Sequence, residues 1–85
     1  MGEMTRQAAV RALVKANPGK LDVCVQYVDL WSEYREATAN ILQNGLIVQH
    51  PRTMNPITNP YVTIRDSALK KMQLLRRLNV EVLWK

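Results

Sequence analysis

Cysteine occurs once in the 85 residues, histidine once and glycine three times, and each scarcity removes a class of function. One cysteine makes no intrachain disulfide, which fits a reducing cytoplasm and leaves the fold without a covalent framework. His50 and Cys24 alone cannot assemble the multi-ligand nitrogen and sulfur sites that hold zinc. Gly2, Gly19 and Gly45 are isolated from one another, so no glycine-rich loop is present to cradle a phosphate. No stretch approaches the ~20 apolar residues of a membrane span. Charges interrupt MGEMTRQAAVRALVK, where an export signal requires an apolar core. The expectation is a soluble, unexported, cytoplasmic protein.

Catalytic groupings are equally sparse. A Cys24 and His50 dyad would need its members to meet in space, yet Cys24 falls on the apolar stripe of a helix and His50 lies beside Pro51 in an extended segment. The one carboxylate cluster, Asp29, Glu33 and Glu36, has the groups to bind a divalent cation or act as an acid/base pair, but its helical steps read as the wetted side of an amphipathic helix or as a face for the basic stripe of a neighbouring subunit. No enzyme, metal or cofactor is expected from these parts.

What is present suits a folded, associating protein. A hydrophobic content of 47% with 22% charged residues is ordinary for a globular chain. A lone domain of this size buries only roughly 60–65% of the surface of its unfolded chain, so oligomerisation is expected from size alone. The net charge of +5 is unevenly spread. Residues 1 to 20 carry +3, residues 21 to 45 carry −3, and residues 46 to 85 carry +5. Such a chain has opposite electrostatic faces, one suited to a polyanion and another to a cationic partner or a second copy; plain solvated charge is the alternative.

Periodicity organises the chain as one domain. Residues 1 to 20 form a basic helix over about 5 to 16, with Val10, Leu13 and Val14 on one side, closed by the Asn17, Pro18, Gly19 break. A long helix is predicted over residues 21 to 44, with Cys24, Val28, Trp31, Thr38, Ile41 and Leu42 in one stripe and Tyr27 and Tyr34 flanking Trp31. Gly45 directly after it is the usual residue for a left-handed cap. Leu46, Ile47 and Val48, followed by the proline-rich HPRTMNPITNP, predict a small β-hairpin or arm over residues 46 to 59 with its turn near Arg52 to Asn55. Asn59 and Pro60 then open a third helix, running to about residue 78, by side-chain capping and a first-turn proline. The buried set is expected to be Leu13, Val28, Trp31, Ile41, Leu42, Ile64, Ala68, Met72 and Leu75. Residues 79 to 85 form a tail whose Trp84 either packs back on the core or inserts into another chain. The fold class is mainly α, three helices with a long central helix pair and a small hairpin between the last two.

Arg11, Lys15, Lys70, Lys71, Arg76 and Arg77 are the candidate phosphate contacts, because binding to a nucleic acid needs cations arrayed to displace counterions. Surface solubility is the competing explanation. Trp31, Tyr34, Ile47, Val48 and Trp84 are the candidate contacts between copies.

The stretch DLWSEYREATANILQNGLIVQHPRTMNPITNPYVTIRDSALKKMQLLRRLNV resembles the core of the phage terminase small subunit family, in its shorter version typical of tailed phages and prophages. The resemblance rests on the aromatic-centred helix LWSEYREA, the turn and β-branched run NGLIV, and the Pro/Asn-rich hairpin. It continues through Asn59 and Pro60 into a helix carrying Ile64, Arg65, Ala68, Leu69 and Leu75, and spans roughly residues 21 to 80. It implies a non-enzymatic component of a genome-packaging machine in the host cell cytoplasm. Such a component recognises viral double-stranded DNA and passes it to a large subunit with ATPase and nuclease. It also implies a ring of roughly eight to ten copies, built from heterologous contacts. The residues themselves leave two rivals open: a small dimeric helix-turn-helix regulator, and a protein adaptor that does not bind DNA.

Overall fold

The computed structural model describes residues 5–75 and 78–84. Its elements in chain order are α1 (Arg6–Ala16), α2 (Leu21–Asn44), β1 (Ile47–Gln49), β2 (Pro56–Thr58), α3 (Pro60–Leu74) and α4 (Glu81–Trp84). The mainly helical expectation is met, with a fourth short helix in what reads as a tail.

Alanine-rich α1 is a strong local helix former, and Thr5 caps it by accepting from the Ala8 amide at 3.2 Å. It buries Ala9 and Leu13, one turn apart, against α2. α2 buries Cys24, Tyr27, Val28 and Trp31 at steps of three and four residues, and Ala37 further on. Leu13 and Val28 are fully buried, and each stabilises the fold by about 1.5–3 kcal/mol relative to exposure.

α2 and α3 form the main packed pair. They run antiparallel, because Asn59 at the start of α3 bonds Asn40 and Gly45 at the end of α2, while Met72 near the other end joins the cluster around Tyr27 and Trp31. Asn59 is 2% exposed and fully used: Oδ1 accepts from the Tyr61 amide at 3.0 Å, and Nδ2 donates to Asn40 Oδ1 and to the Gly45 carbonyl, both at 3.0 Å. Gly45 has the expected positive φ of 84°, but its ψ of 176° is extended, a region open essentially to glycine. The chain therefore leaves α2 outward into the hairpin instead of curling back over the helix end.

The hairpin is antiparallel, pairing Ile47 with Thr58, Val48 with Ile57 and Gln49 with Pro56. Its turn is closed by His50 N donating to the Asn55 carbonyl and Met54 N to the His50 carbonyl, both at 2.8 Å. His50 Nδ1 accepts from the Arg52 amide at 3.1 Å, so the single histidine builds the turn.

Of the expected core, Leu13, Val28, Trp31, Ala68 and Met72 are buried, and Ile41 and Leu75 are half-buried. Two expectations are corrected. Leu42 is 83% exposed: α3 starts beside Asn40, and two residues further along a helix turns the side chain ~200° away from that contact. Ile64 is 37% exposed because the sheltered line of α3 passes through Tyr61, Arg65, Ala68 and Met72 and leaves Ile64 at its margin. α3 also stops earlier than periodicity suggests, at Leu74, where Leu75 takes φ −91° and ψ 55° and its amide caps onto the Met72 carbonyl. Ending there lets Leu78 and Leu83 turn back into the core against α1 and α2.

Candidate nucleic-acid interface

The basic residues divide into those held by the fold and those presented by it. Arg6 grips Asp29 of α2 in a fork, Nε to Oδ1 at 2.6 Å and Nη2 to Oδ2 at 3.3 Å. The hydrogen bonds from Arg6 hold the Asp29 carboxyl below its ordinary pKa, and Asp29 in turn raises that of Arg6. Arg35 lies over the Trp31 ring, 4.5 Å from its centroid, and Arg65 Nε donates to Asp66 Oδ1 at 3.2 Å. The Arg6 fork draws Asp29, one member of the acidic stripe of α2, into pairing with the first helix of the same chain.

Arg11 and Lys15 are exposed one turn apart on α1, and Lys70 and Lys71 are exposed on α3. Both helices pack on α2, which carries the two cation pairs as a common frame. Arg52 is exposed at the hairpin turn. Arg76 and Arg77 lie outside the described residues.

The candidate contacts between copies are more divided. Trp31 is 4% exposed and belongs to the protomer's own core, so it offers almost no surface. Tyr34 is half-buried and meets the Trp84 ring edge to face, with centroids 5.6 Å apart. Trp84 packs back on its own chain, its indole N–H donating to Tyr27 Oη at 2.8 Å, and yet remains 45% exposed. Val48 is half-buried and Ile47 is 61% exposed.

Cys24 is buried, and removal of its surroundings from water pushes its thiol pKa up, the opposite of an activated nucleophile. Among the described residues, no group of three or more His, Cys, Asp or Glu is placed to hold a metal ion. Nor, among them, is any helix long and apolar enough to cross a membrane.

A family model described as phage terminase, small subunit, matches residues 7–78, from the first turn of α1 through the return of the chain to the core at Leu78. The chain belongs to the phage terminase small-subunit family. No curated protein and no solved structure matches it. Membership places this small subunit in phage DNA packaging. The matched span includes both exposed cation pairs, the complete hairpin and the Asn59 junction.

Sequence reasoning missed the residues that fix this geometry across long separations. Asn17 reads as a turn residue, yet its amide bonds Asn79, 62 positions away. Arg6 reads as one more cation of a basic helix. Its only advance signal is the opposite sign of the charges on α1 and α2.

Proposed function

We propose that this small subunit is a non-catalytic DNA-recognition and adaptor component that binds viral double-stranded DNA and regulates the large ATPase and nuclease subunit. It acts as a ring of roughly eight to ten copies joined by heterologous contacts. The observation that carries the DNA reading is the pair of exposed cation sets, Arg11 with Lys15 and Lys70 with Lys71, on two helices braced by one central helix within the family-matched span. Phosphate contacts of this kind position a protein on a duplex without reading its sequence.

Counterion release gives the test. Each neutralised phosphate contributes about −0.9 to the slope of log K against log salt, so four contacts give a slope near −3.6, and Arg76 and Arg77 would take it toward −5. Fluorescence anisotropy with a duplex over about 50–200 mM salt measures it. Arg11→Ala with Lys15→Ala, and separately Lys70→Ala with Lys71→Ala, should each flatten the slope by about 2. An unchanged slope removes that helix from the interface. Absence of binding at the lowest salt favours the protein adaptor, and a two-fold complex on a palindromic site favours the regulator.

A further inference from the structure

Among the described residues, two surfaces rich in exposed apolar side chains are left uncovered, and α3, ~22 Å long, holds them apart. At the N-terminal end of α3 stands the arm, the hairpin together with the end of α2. Leu42 is 83%, Leu46 56%, Ile47 61% and Met54 58% exposed there. At the C-terminal end of α3 is an open groove of 680 Å³, whose walls include Tyr27, Leu69, Met72, Leu75, Leu78 and Trp84. Leu69 and Trp84 are 37% and 45% exposed within it.

The charge pattern says what the arm is for. From residue 37 to residue 64 the only charged side chain is Arg52, in a protein where 22% of residues are charged. A surface so empty of cations is a poor ligand for phosphates, and one so empty of either sign offers no steering to a charged partner. Edge strands normally carry lysines or glutamates that keep copies apart, and β1 and β2 carry none. Contact with another copy of the same chain brings only one charge of this surface, Arg52 at the hairpin turn, near the interface, so repulsion and charge desolvation are small.

We propose that the arm of one copy docks in the groove of the next, head to tail. The inference rests on the reading of this subunit as a self-assembling protein and specifies its interface. Arm-to-arm pairing about a two-fold axis would cover one surface and leave every groove open. Arm-to-groove contact covers both with a single repeated interface, the arrangement that closes rings. Folding back of an arm onto its own groove is prevented by the rigid length of α3.

Light scattering and native mass spectrometry on the full chain test this with two variants, Ile47→Asp in the arm and Leu69→Glu in the groove. Both positions are partly exposed, and far-UV circular dichroism verifies that helix content is retained; Trp84→Glu replaces the groove variant if Leu69→Glu does not fold. The wild-type chain is expected to assemble, and each variant alone to run as a 9.8 kDa monomer. A one-to-one mixture should form a heterodimer and nothing larger, because one intact arm and one intact groove remain while the other contact sets two carboxylates together. An assembled wild type with either variant unchanged in mass, or a mixture that stays monomeric, overturns the head-to-tail interface. Assembly by the groove variant with loss in the arm variant alone overturns it in favour of arm-to-arm pairing. A wild-type chain that stays monomeric at all concentrations instead removes the self-assembly reading itself, and this interface with it.

Discussion

Replacing Asn17 by alanine should detach the C-terminal segment from a body that otherwise keeps its helices. Asn17 is 7% exposed; its Nδ2 donates to the Leu13 carbonyl and the Asn79 carbonyl, each at 2.9 Å, and its Oδ1 accepts from the Asn79 amide at 2.7 Å. Each bond is worth about 0.5–1.5 kcal/mol net. Asn79 is exposed, so water takes over its freed groups, and the Leu13 carbonyl keeps the bond from the Asn17 backbone amide at 2.9 Å. The loss therefore falls at about 1.5–3 kcal/mol, a large share of the 5–15 kcal/mol that holds a typical domain.

Asn17→Asp sharpens the argument. It retains an acceptor for the Asn79 amide but points its second oxygen at two carbonyls, so it should be no more stable than Asn17→Ala despite its matching shape. Urea unfolding followed by far-UV circular dichroism, at one fixed protein concentration, measures both. A midpoint for Asn17→Ala indistinguishable from wild type, at equal slope, would refute the idea that this side chain pins the chain's end.

Trp31→Ala should cost about 3–5 kcal/mol and leave no folded baseline in the same assay, since the ring is 4% exposed in the central cluster. Asn59→Ala removes the α3 cap and the ties to Asn40 and Gly45, and should cost about 1–3 kcal/mol, with faster amide exchange at Tyr61. The Arg6 bond gives acid sensitivity: Asp29 has a lower pKa folded than unfolded, so its contribution is complete above the unfolded value of about 3.9 and fades as pH falls through the depressed one. Asp29→Asn should flatten the fall in unfolding midpoint below about pH 4, and an acid limb identical to wild type would show that the pair is immaterial.

The parts of this fold that could be read in advance are those whose cause is local. The run from Leu21 to Asn44 carries its own periodicity, Gly45 its own positive φ, and Asn59 with Pro60 its own helix start, and all three stand where the sequence puts them. The exposed cations were legible for the same reason, because Arg11 and Lys15 share a face by spacing alone. The errors arose where a helix face is decided by its neighbour. Leu42 lies on the extrapolated stripe of Trp31, but burial of that stripe requires a covering helix, and Asn59 docks α3 on the Asn40 side instead.

That same displacement is what gives the protomer an arm. Had α3 covered Leu42, the end of α2 would be part of the core and the hairpin a simple connection over it. With Asn59 fixed to Asn40 and Gly45, Leu42 and the hairpin both stay exposed at this end of the packed pair, in a stretch whose one charged side chain is Arg52. At the other end α3 stops at Leu74, Leu78 and Leu83 enter the core, and Leu78, Val80 and Trp84 of this following segment line the groove together with Leu69. Both surfaces thus follow from the two junctions of α3. A small chain that spends its junctions in this way leaves apolar area outside its own core, and in the head-to-tail interface proposed above that area is what a second copy would cover.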